Sequence, residues 1–236
     1  FDCSALFEAT QIRWLRAPST GKAVLGKAVH ASTAVYDVAR LNDDFGLTVD
    51  DAAGAAVDVI KQPEEEVVWD DDLSPAAAEK IALGLHALYC TQISPSMTYA
   101  AVEVTCETLE ITDLGIALTG TVDRVYKTEG GGIGKADIKT GARAVAASGK
   151  VETPGHAYQV GVYELLAQVA TGRAVTAPAK IIGLQAGKTS KGQRAAIGDI
   201  NGARLALLGN DESPGVLEAA ARIIKAGAFY GNPRSM

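Results

Sequence analysis

The chain of 236 residues is 47% hydrophobic and carries a formal net charge of −6, which is enough material for one domain over residues 1–236 built around one core. No apolar run reaches the ~18 residues of a membrane helix, and no signal-peptide pattern opens the sequence. Three unpatterned cysteines argue against a secreted disulfide framework, so we expect a cytoplasmic protein that does not insert into membranes.

The first part of the chain, residues 1–92, is predicted to be a helical subdomain. Apolar residues that recur at spacings of three and four predict helices over 24–41, 50–61 and 75–91. Acidic runs flank these segments and are typical of solvated surface.

The second part, residues 93–236, is predicted to be an α/β core. Alternating segments and the turns between them predict five strands, and the remaining apolar segments predict three helices, one of them introduced by Thr153-Pro154. The expected fold class is therefore α/β: a central mixed β-sheet flanked by helices, with the helical subdomain at the N-terminus. The strands are expected over 97–109, 114–127, 133–139, 178–186 and 194–199, and the helices over 155–171, 200–208 and 214–226.

Charge is distributed unevenly between the two ends of the chain. Residues 1–126 hold 8 Lys and Arg against 20 Asp and Glu, whereas residues 127–236 hold 14 against 8. A basic half of this kind can contact the phosphates of a nucleic acid, and Arg143, Lys150 and Lys188 are candidates for those contacts. The alternative for each of them is ordinary solvated surface.

Two acidic residues and a lysine lie on consecutive predicted strands. Asp123 follows Gly120-Thr-Val, and Asp137 and Lys139 follow a glycine-rich turn. Because side chains alternate along a strand, Asp137 and Lys139 share a face that Asp123 of the neighbouring strand can join. Carboxylates are ligands for Mg²⁺, and an ammonium can stabilise charge on a phosphate, so the group fits a nuclease. An isolated Asp-x-Lys pair more often belongs to a solvated strand face.

Two predicted helices add further polar candidates. Gln159 and Tyr163 are four residues apart on the helix after the Asp-x-Lys strand, so they share one of its faces. His30 lies beside the apolar stripe of the helix over 24–41, where a histidine is either a boundary residue or a metal ligand.

Taken in order, these segments resemble the motif set of RecB-like exonucleases in the PD-(D/E)xK nuclease superfamily, including those of phages and prophages. The match runs from about residue 4 to 170. The resemblance implies that Mg²⁺ or Mn²⁺ is bound by the side chains of His30, Asp123 and Asp137 and by the carbonyl of Ile138. It also implies that Lys139 is the catalytic lysine, with Gln159 and Tyr163 near the scissile strand, and that Glu103 matches a further acidic position of some relatives.

Some relatives also hold an iron–sulfur cluster on four cysteines. The comparable place near the start of this sequence is Thr10-Gln-Ile-Arg-Trp14, which lacks the first of those cysteines. Cys3, Cys90 and Cys106 show no Cys-x-x-Cys spacing. We therefore expect no iron–sulfur cluster within these residues.

The function expected from motifs and resemblance together is that of a metal-dependent DNA exonuclease acting on duplex ends in recombination or repair. A structure-specific or restriction-type endonuclease on the same fold is one alternative. A non-catalytic nucleic-acid-binding subunit is the other, although the intact Asp123, Asp137 and Lys139 argue against it. A recombination partner protein and a homo-oligomer are both compatible with this interpretation.

Overall fold

The computed structural model describes residues 17–153 and 155–228. Its first part contains three α-helices, the last of which continues into a π-helical turn over Tyr89–Ile93. Each α-helix begins at a side chain that accepts a hydrogen bond from the first turn: Thr20, Thr48 and Ser74. Such N-caps satisfy backbone N–H groups that have no partner inside the helix. The helices are α1 (Gly21–Leu41), α2 (Val49–Lys61) and α3 (Pro75–Leu88), and the short parallel strands β1 (Ser19–Thr20) and β2 (Val67–Val68) pair beside them.

The second part is organised around a five-stranded mixed sheet. Its strands are β3 (Tyr99–Ile111), β4 (Ile116–Lys127), β5 (Ile133–Gly141), β6 (Ala179–Gln185) and β7 (Arg194–Ile200), and they lie side by side in that order. The pairings β3–β4, β4–β5 and β6–β7 are antiparallel, whereas β5–β6 is parallel. Helix α4 (Ala157–Thr171) provides the crossover that a parallel pair requires.

The remaining elements follow the sheet in the chain. Helix α5 (Ala203–Leu208) leads into the two-residue strands β8 (Gly209–Asn210) and β9 (Ser213–Pro214), which pair with each other before helix α6 (Val216–Ala226). Within the described ranges, none of the helices combines the length and the apolar character needed to cross a membrane.

The core lies on both faces of the sheet. Buried side chains of α1, α2 and α3 pack on one face, against Ala136 and Ile138 of β5 and Ile182 of β6. Leu166 and Ala167 of α4 pack on the other face, against Val122 and Val125 of β4. Strand β5 is therefore covered on both sides, and this is the strand that carries Asp137 and Lys139.

The predicted fold class, a mixed sheet flanked by helices with an N-terminal helical part, is confirmed. Four predicted helix starts are wrong. The helix predicted over 24–41 begins earlier, at Gly21. The helix predicted over 155–171 begins at Ala157 after His156 and not at Thr153, and Pro154 lies outside the described residues. Residue 200 ends β7, so the next helix begins at Ala203, and Pro214 pairs in β9 instead of starting the last helix.

Candidate active site

The candidate site lies where β4 and β5 separate. Their paired register ends at Arg124 opposite Ala136, and beyond that point the N–H of Ile138 donates to the Asp123 carboxylate over 2.8 Å. A side-chain oxygen thus replaces the backbone partner that a continued ladder would have supplied. The Asp123 carboxylate is fixed at the opening between the two strands.

Helix α1 brings His30 to the same opening. Its Nε2 atom lies 2.9 Å from the carbonyl oxygen of Ile138, and its Nδ1 atom lies 3.7 Å from Oδ2 of Asp123. Among the described residues, potential ligand atoms of His30, Glu103 and Asp123 all lie within 4.8 Å of one another.

Glu103 reaches this cluster from β3, between the paired positions Val102–Arg124 and Val104–Val122. Its backbone is left-handed, with φ of 49°, which is unusual for a glutamate within a strand and costs about 1–3 kcal/mol. Burial and the nearby Asp123 raise the pKa of the Glu103 carboxyl, and the positive charge of Arg124 opposes that rise. Two neighbouring carboxylates repel each other, and a bound cation relieves that repulsion.

Asp137 lies next in the chain but in different surroundings. It is 1% exposed, with the Lys135 ammonium 2.8 Å from Oδ1 and the Lys139 ammonium 2.7 Å from Oδ2. Burial alone would raise the pKa of this carboxyl, but the two ammonium groups hold it below its usual value. Asp137 does not belong to the 4.8 Å cluster found within the described ranges.

Helix α4 covers Asp137 and its lysines. The Lys135 ammonium lies 4.4 Å from the centre of the Tyr163 ring, a distance suited to a cation–π interaction. The amide of Gln159 donates to the Tyr163 hydroxyl over 3.4 Å. Gly120 permits this packing, because a Cβ atom there would lie 2.9 Å from Cε1 of the tyrosine.

The donor set at the opening suits a divalent cation. Carboxylate and carbonyl oxygens are ligands that Mg²⁺ and Mn²⁺ take, and an imidazole nitrogen also suits a transition metal. His30 Nε2 and the Ile138 carbonyl oxygen are joined by a hydrogen bond of 2.9 Å, so both atoms already face the same point. Asp137 Oδ2 is buried and paired with the partly exposed Lys139 ammonium 2.7 Å away, so this oxygen can bind a cation only if that ammonium moves. The imidazole, carboxylates and carbonyl therefore fit a metal ion.

Sequence reasoning did not assign roles to two buried cations of this region. Arg124 follows Asp123 directly, and Lys135 precedes Asp137 by two residues on the same strand face. Both side chains are fully buried and contact carboxylates of the site. The alternation Lys135-x-Asp137-x-Lys139 was the signal that could have indicated the second of them.

The three candidate phosphate contacts lie beyond the ends of β5 and β6. Arg143 and Lys150 belong to the exposed loop after β5, and Lys188 belongs to the loop after β6. The Lys188 ammonium is 3.0 Å from Oδ1 of Asp72, so its charge is shared with the acidic half of the chain. Cys90 and Cys106 are free and buried, and Cys3 lies outside the described residues.

Known proteins provide an independent comparison. The family model of the PD-(D/E)XK nuclease superfamily matches residues 1–229, and members of that superfamily generally use divalent metal ions. The chain is similar to the crystal structure of a candidate exonuclease from Eubacterium rectale, with a TM-score of 0.56 and 15% identity over 97% of this chain and 76% of that one. No curated protein matches the sequence significantly. The chain belongs to the PD-(D/E)XK nuclease superfamily.

Proposed function

We propose that this protein is a metal-dependent DNA exonuclease that hydrolyses phosphodiester bonds at duplex ends. The observation that carries the proposal is the clustering of His30, Glu103 and Asp123, of which His30 and Asp123 contact Ile138, the residue between Asp137 and Lys139 of the neighbouring ion pair. The likeness to the Eubacterium rectale protein supports exonuclease over endonuclease activity. The RecB-like, phage-type assignment, the cytoplasmic role in recombination or repair, a partner protein and a homo-oligomer are parts of the same proposal.

The metal would be Mg²⁺ or Mn²⁺, held by His30, Asp123, Asp137 and the Ile138 carbonyl, with Glu103 as a further ligand. A bound divalent ion polarises a phosphate and lowers the pKa of a coordinated water. The N–H of Ile138 orients the Asp123 carboxylate, and β5 fixes the carbonyl direction, so both oxygens are positioned before any ion binds.

Lys139 would stabilise the negative charge that develops on the phosphate, or orient the attacking water. Its side chain is 28% exposed, in contrast to the fully buried Lys135, so it has room to move from Asp137 towards a substrate. Gln159 and Tyr163 would support this side of the site from α4, close to the scissile strand.

The experiment that tests the proposal compares linear and covalently closed circular duplex DNA. We expect end-labelled linear duplex to be degraded with Mg²⁺ or Mn²⁺, no degradation with chelator, and no cleavage of the circle. An Asp123→Asn variant serves as the control for a contaminating nuclease. Cleavage of the circle would favour the endonuclease alternative, and metal-independent binding without cleavage would favour the non-catalytic one.

Arg143, Lys150 and Lys188 would contact DNA phosphates. Replacing all three by Gln should weaken binding to duplex DNA, and each phosphate that is no longer neutralised should flatten the salt dependence by roughly 0.9 in log–log slope. The matched control neutralises three lysines of the acidic half, Lys27, Lys61 and Lys80. If both triple variants keep the wild-type slope, Arg143, Lys150 and Lys188 belong to ordinary solvated surface.

A further inference from the structure

Arg124 is a charged side chain buried completely within the fold. Its side chain is 0% exposed, and its guanidinium donates in three directions. Nε donates to Oδ2 of Asp37 over 2.7 Å, Nη2 to the Thr33 hydroxyl over 3.2 Å, and Nη1 to Oε1 of Glu103 over 3.0 Å. One end of the guanidinium is thus anchored in the core, and the other contacts a carboxylate of the candidate metal cluster.

The anchor of this guanidinium is Asp37, which is itself fully buried. Besides Arg124, it accepts hydrogen bonds from the hydroxyl groups of Ser94 and Tyr89. Asp37 lies two turns after His30 on α1, so one helix supplies both a candidate ligand and the anchor of Arg124. Because every donor around Asp37 is buried, the position of the guanidinium is set by the core.

We propose that Arg124, anchored by Asp37, is a positioning residue that holds the Glu103 carboxylate at the metal site. The inference rests on the proposed function, because it assigns Glu103 as a metal ligand. Nη1 also donates to the carbonyl oxygen of Asp123 over 2.8 Å, so the same nitrogen connects the two neighbouring acidic positions.

The geometry explains why Glu103 needs such a partner. Its side chain is 36% exposed, its backbone is left-handed, and the carboxylate of Asp123 repels it. Left to itself, the glutamate would turn towards solvent, away from the second negative charge. A planar guanidinium can contact Asp37 and Glu103 at once, whereas a lysine ammonium in this place could satisfy only one of them.

A double-mutant cycle on Mn²⁺ affinity tests this role. Calorimetric titration with Mn²⁺ alone would compare the wild type, Arg124→Lys, Glu103→Gln and the double variant. Removing a residue that orients a ligand typically weakens metal binding ~10-fold or more. We expect Arg124→Lys and Glu103→Gln each to weaken Mn²⁺ binding ~10-fold, and the double variant to bind no more weakly than either one. Losses that multiply in the double variant would overturn the inference, because Arg124 would then act independently of Glu103.

Two further variants keep the test decisive. Arg40→Lys disturbs the same network through Ser94 without touching Glu103, and should leave the Mn²⁺ affinity unchanged. If Arg124→Lys does not fold, Asp37→Asn replaces it and should show the same coupling with Glu103→Gln. A wild type that binds no Mn²⁺ would overturn the proposed function together with the inference, whereas a wild type whose affinity is insensitive to Glu103→Gln would overturn the inference alone.

Discussion

The two sides of the opening between β4 and β5 differ in how their carboxylates are neutralised. On the α4 side, Asp137 is enclosed by Lys135 and Lys139. On the α1 side, Asp123 and Glu103 lie beside His30, and Arg124, the cation that contacts the Glu103 carboxylate, is already shared with the buried Asp37. Uncompensated negative charge therefore accumulates on the α1 side. Two aspartates that look equivalent in sequence have different electrostatic surroundings, and the α1 side is the one that a cation would complete.

The same comparison separates the two lysines. Lys135 is fully buried against Tyr163, whereas Lys139 is partly exposed. If Asp137 Oδ2 binds a cation, the Lys139 ammonium has to leave that oxygen, while Lys135 can keep its contact with Oδ1. Release of Lys139 would place a mobile positive charge beside the phosphate at the time it is needed.

The largest expected effect comes from removing the Asp137 carboxylate, which lies on the α4 side. Asp137→Ala should abolish cleavage and also lower the free energy of unfolding by about 3–5 kcal/mol, because it leaves Lys135 buried without its partner. Urea denaturation at neutral pH measures the loss. An Asp137→Ala, Lys135→Met double variant should regain much of the stability but not the cleavage. That result would confirm that the unpaired, buried Lys135 causes the loss.

The pH dependence of stability provides a second measurement on the same variant. Since the folded pKa of Asp137 lies below its usual value, its contribution is present above the unfolded pKa and is lost as the pH falls through the folded pKa. Asp137→Ala should lack this part of the acid-induced loss. If Asp137→Ala is instead as stable as the wild type at neutral pH, the free energy of unfolding does not depend on pairing Lys135 and Lys139 with this carboxylate.

A smaller effect is expected where α4 packs on β4. Gly120→Ala would put a Cβ atom 2.9 Å from the Tyr163 ring, which would have to move away from the Lys135 ammonium. Overpacking of this kind costs about 1–3 kcal/mol, measurable by thermal or urea unfolding. Gly130→Ala is the matched control, because a Cβ atom there would meet nothing within 4 Å. Equal stability of the two variants would show that Tyr163 is not tightly held.

Periodicity was sufficient to predict most of the fold. The strands predicted over 114–127 and 133–139 are observed as Ile116–Lys127 and Ile133–Gly141, because alternation and glycine-rich turns are local signals. The errors at helix starts have a local cause as well. Thr153 and Ser213 have capping chemistry, but the chain makes other backbone pairings there before each helix begins.

The electrostatics of the site could not be predicted in the same way. The sequence alone places Asp137 in a cluster of repelling carboxylates, whose removal is expected to be neutral or stabilising. The structure leads to the opposite prediction, because the buried Lys135 is the partner of Asp137. The link from Asp37 to Arg124 joins residues 87 positions apart, and the left-handed backbone of Glu103 has no sequence signature. These are tertiary effects, which local patterns do not encode.

The smallest effect on stability is expected at His30, and a second histidine of the same helical part provides the control. His30 is 30% exposed and its one close hydrogen bond within the described residues is to the Ile138 carbonyl, so His30→Ala should lower the free energy of unfolding by no more than about 1 kcal/mol. It should weaken Mn²⁺ binding ~10-fold and Mg²⁺ binding less, because an imidazole suits transition metals better than Mg²⁺. Calorimetric titration with each ion measures both losses.

His86 is buried instead, and its Nε2 lies 2.9 Å from the carbonyl oxygen of Val49 at the start of α2. Burial lowers the pKa of His86, so its contribution to stability is full above the ordinary value near 6.5 and is lost as the pH falls below it, where the unfolded chain takes up the proton first. His86→Ala should therefore lower stability at neutral pH, flatten its dependence on pH below about 6.5, and leave both metal titrations unchanged. If His30→Ala instead behaves like His86→Ala, with lower stability and unaltered metal binding, then His30 is a structural residue. The α1 side of the opening would in that case hold its cation through Asp123 and Glu103 alone.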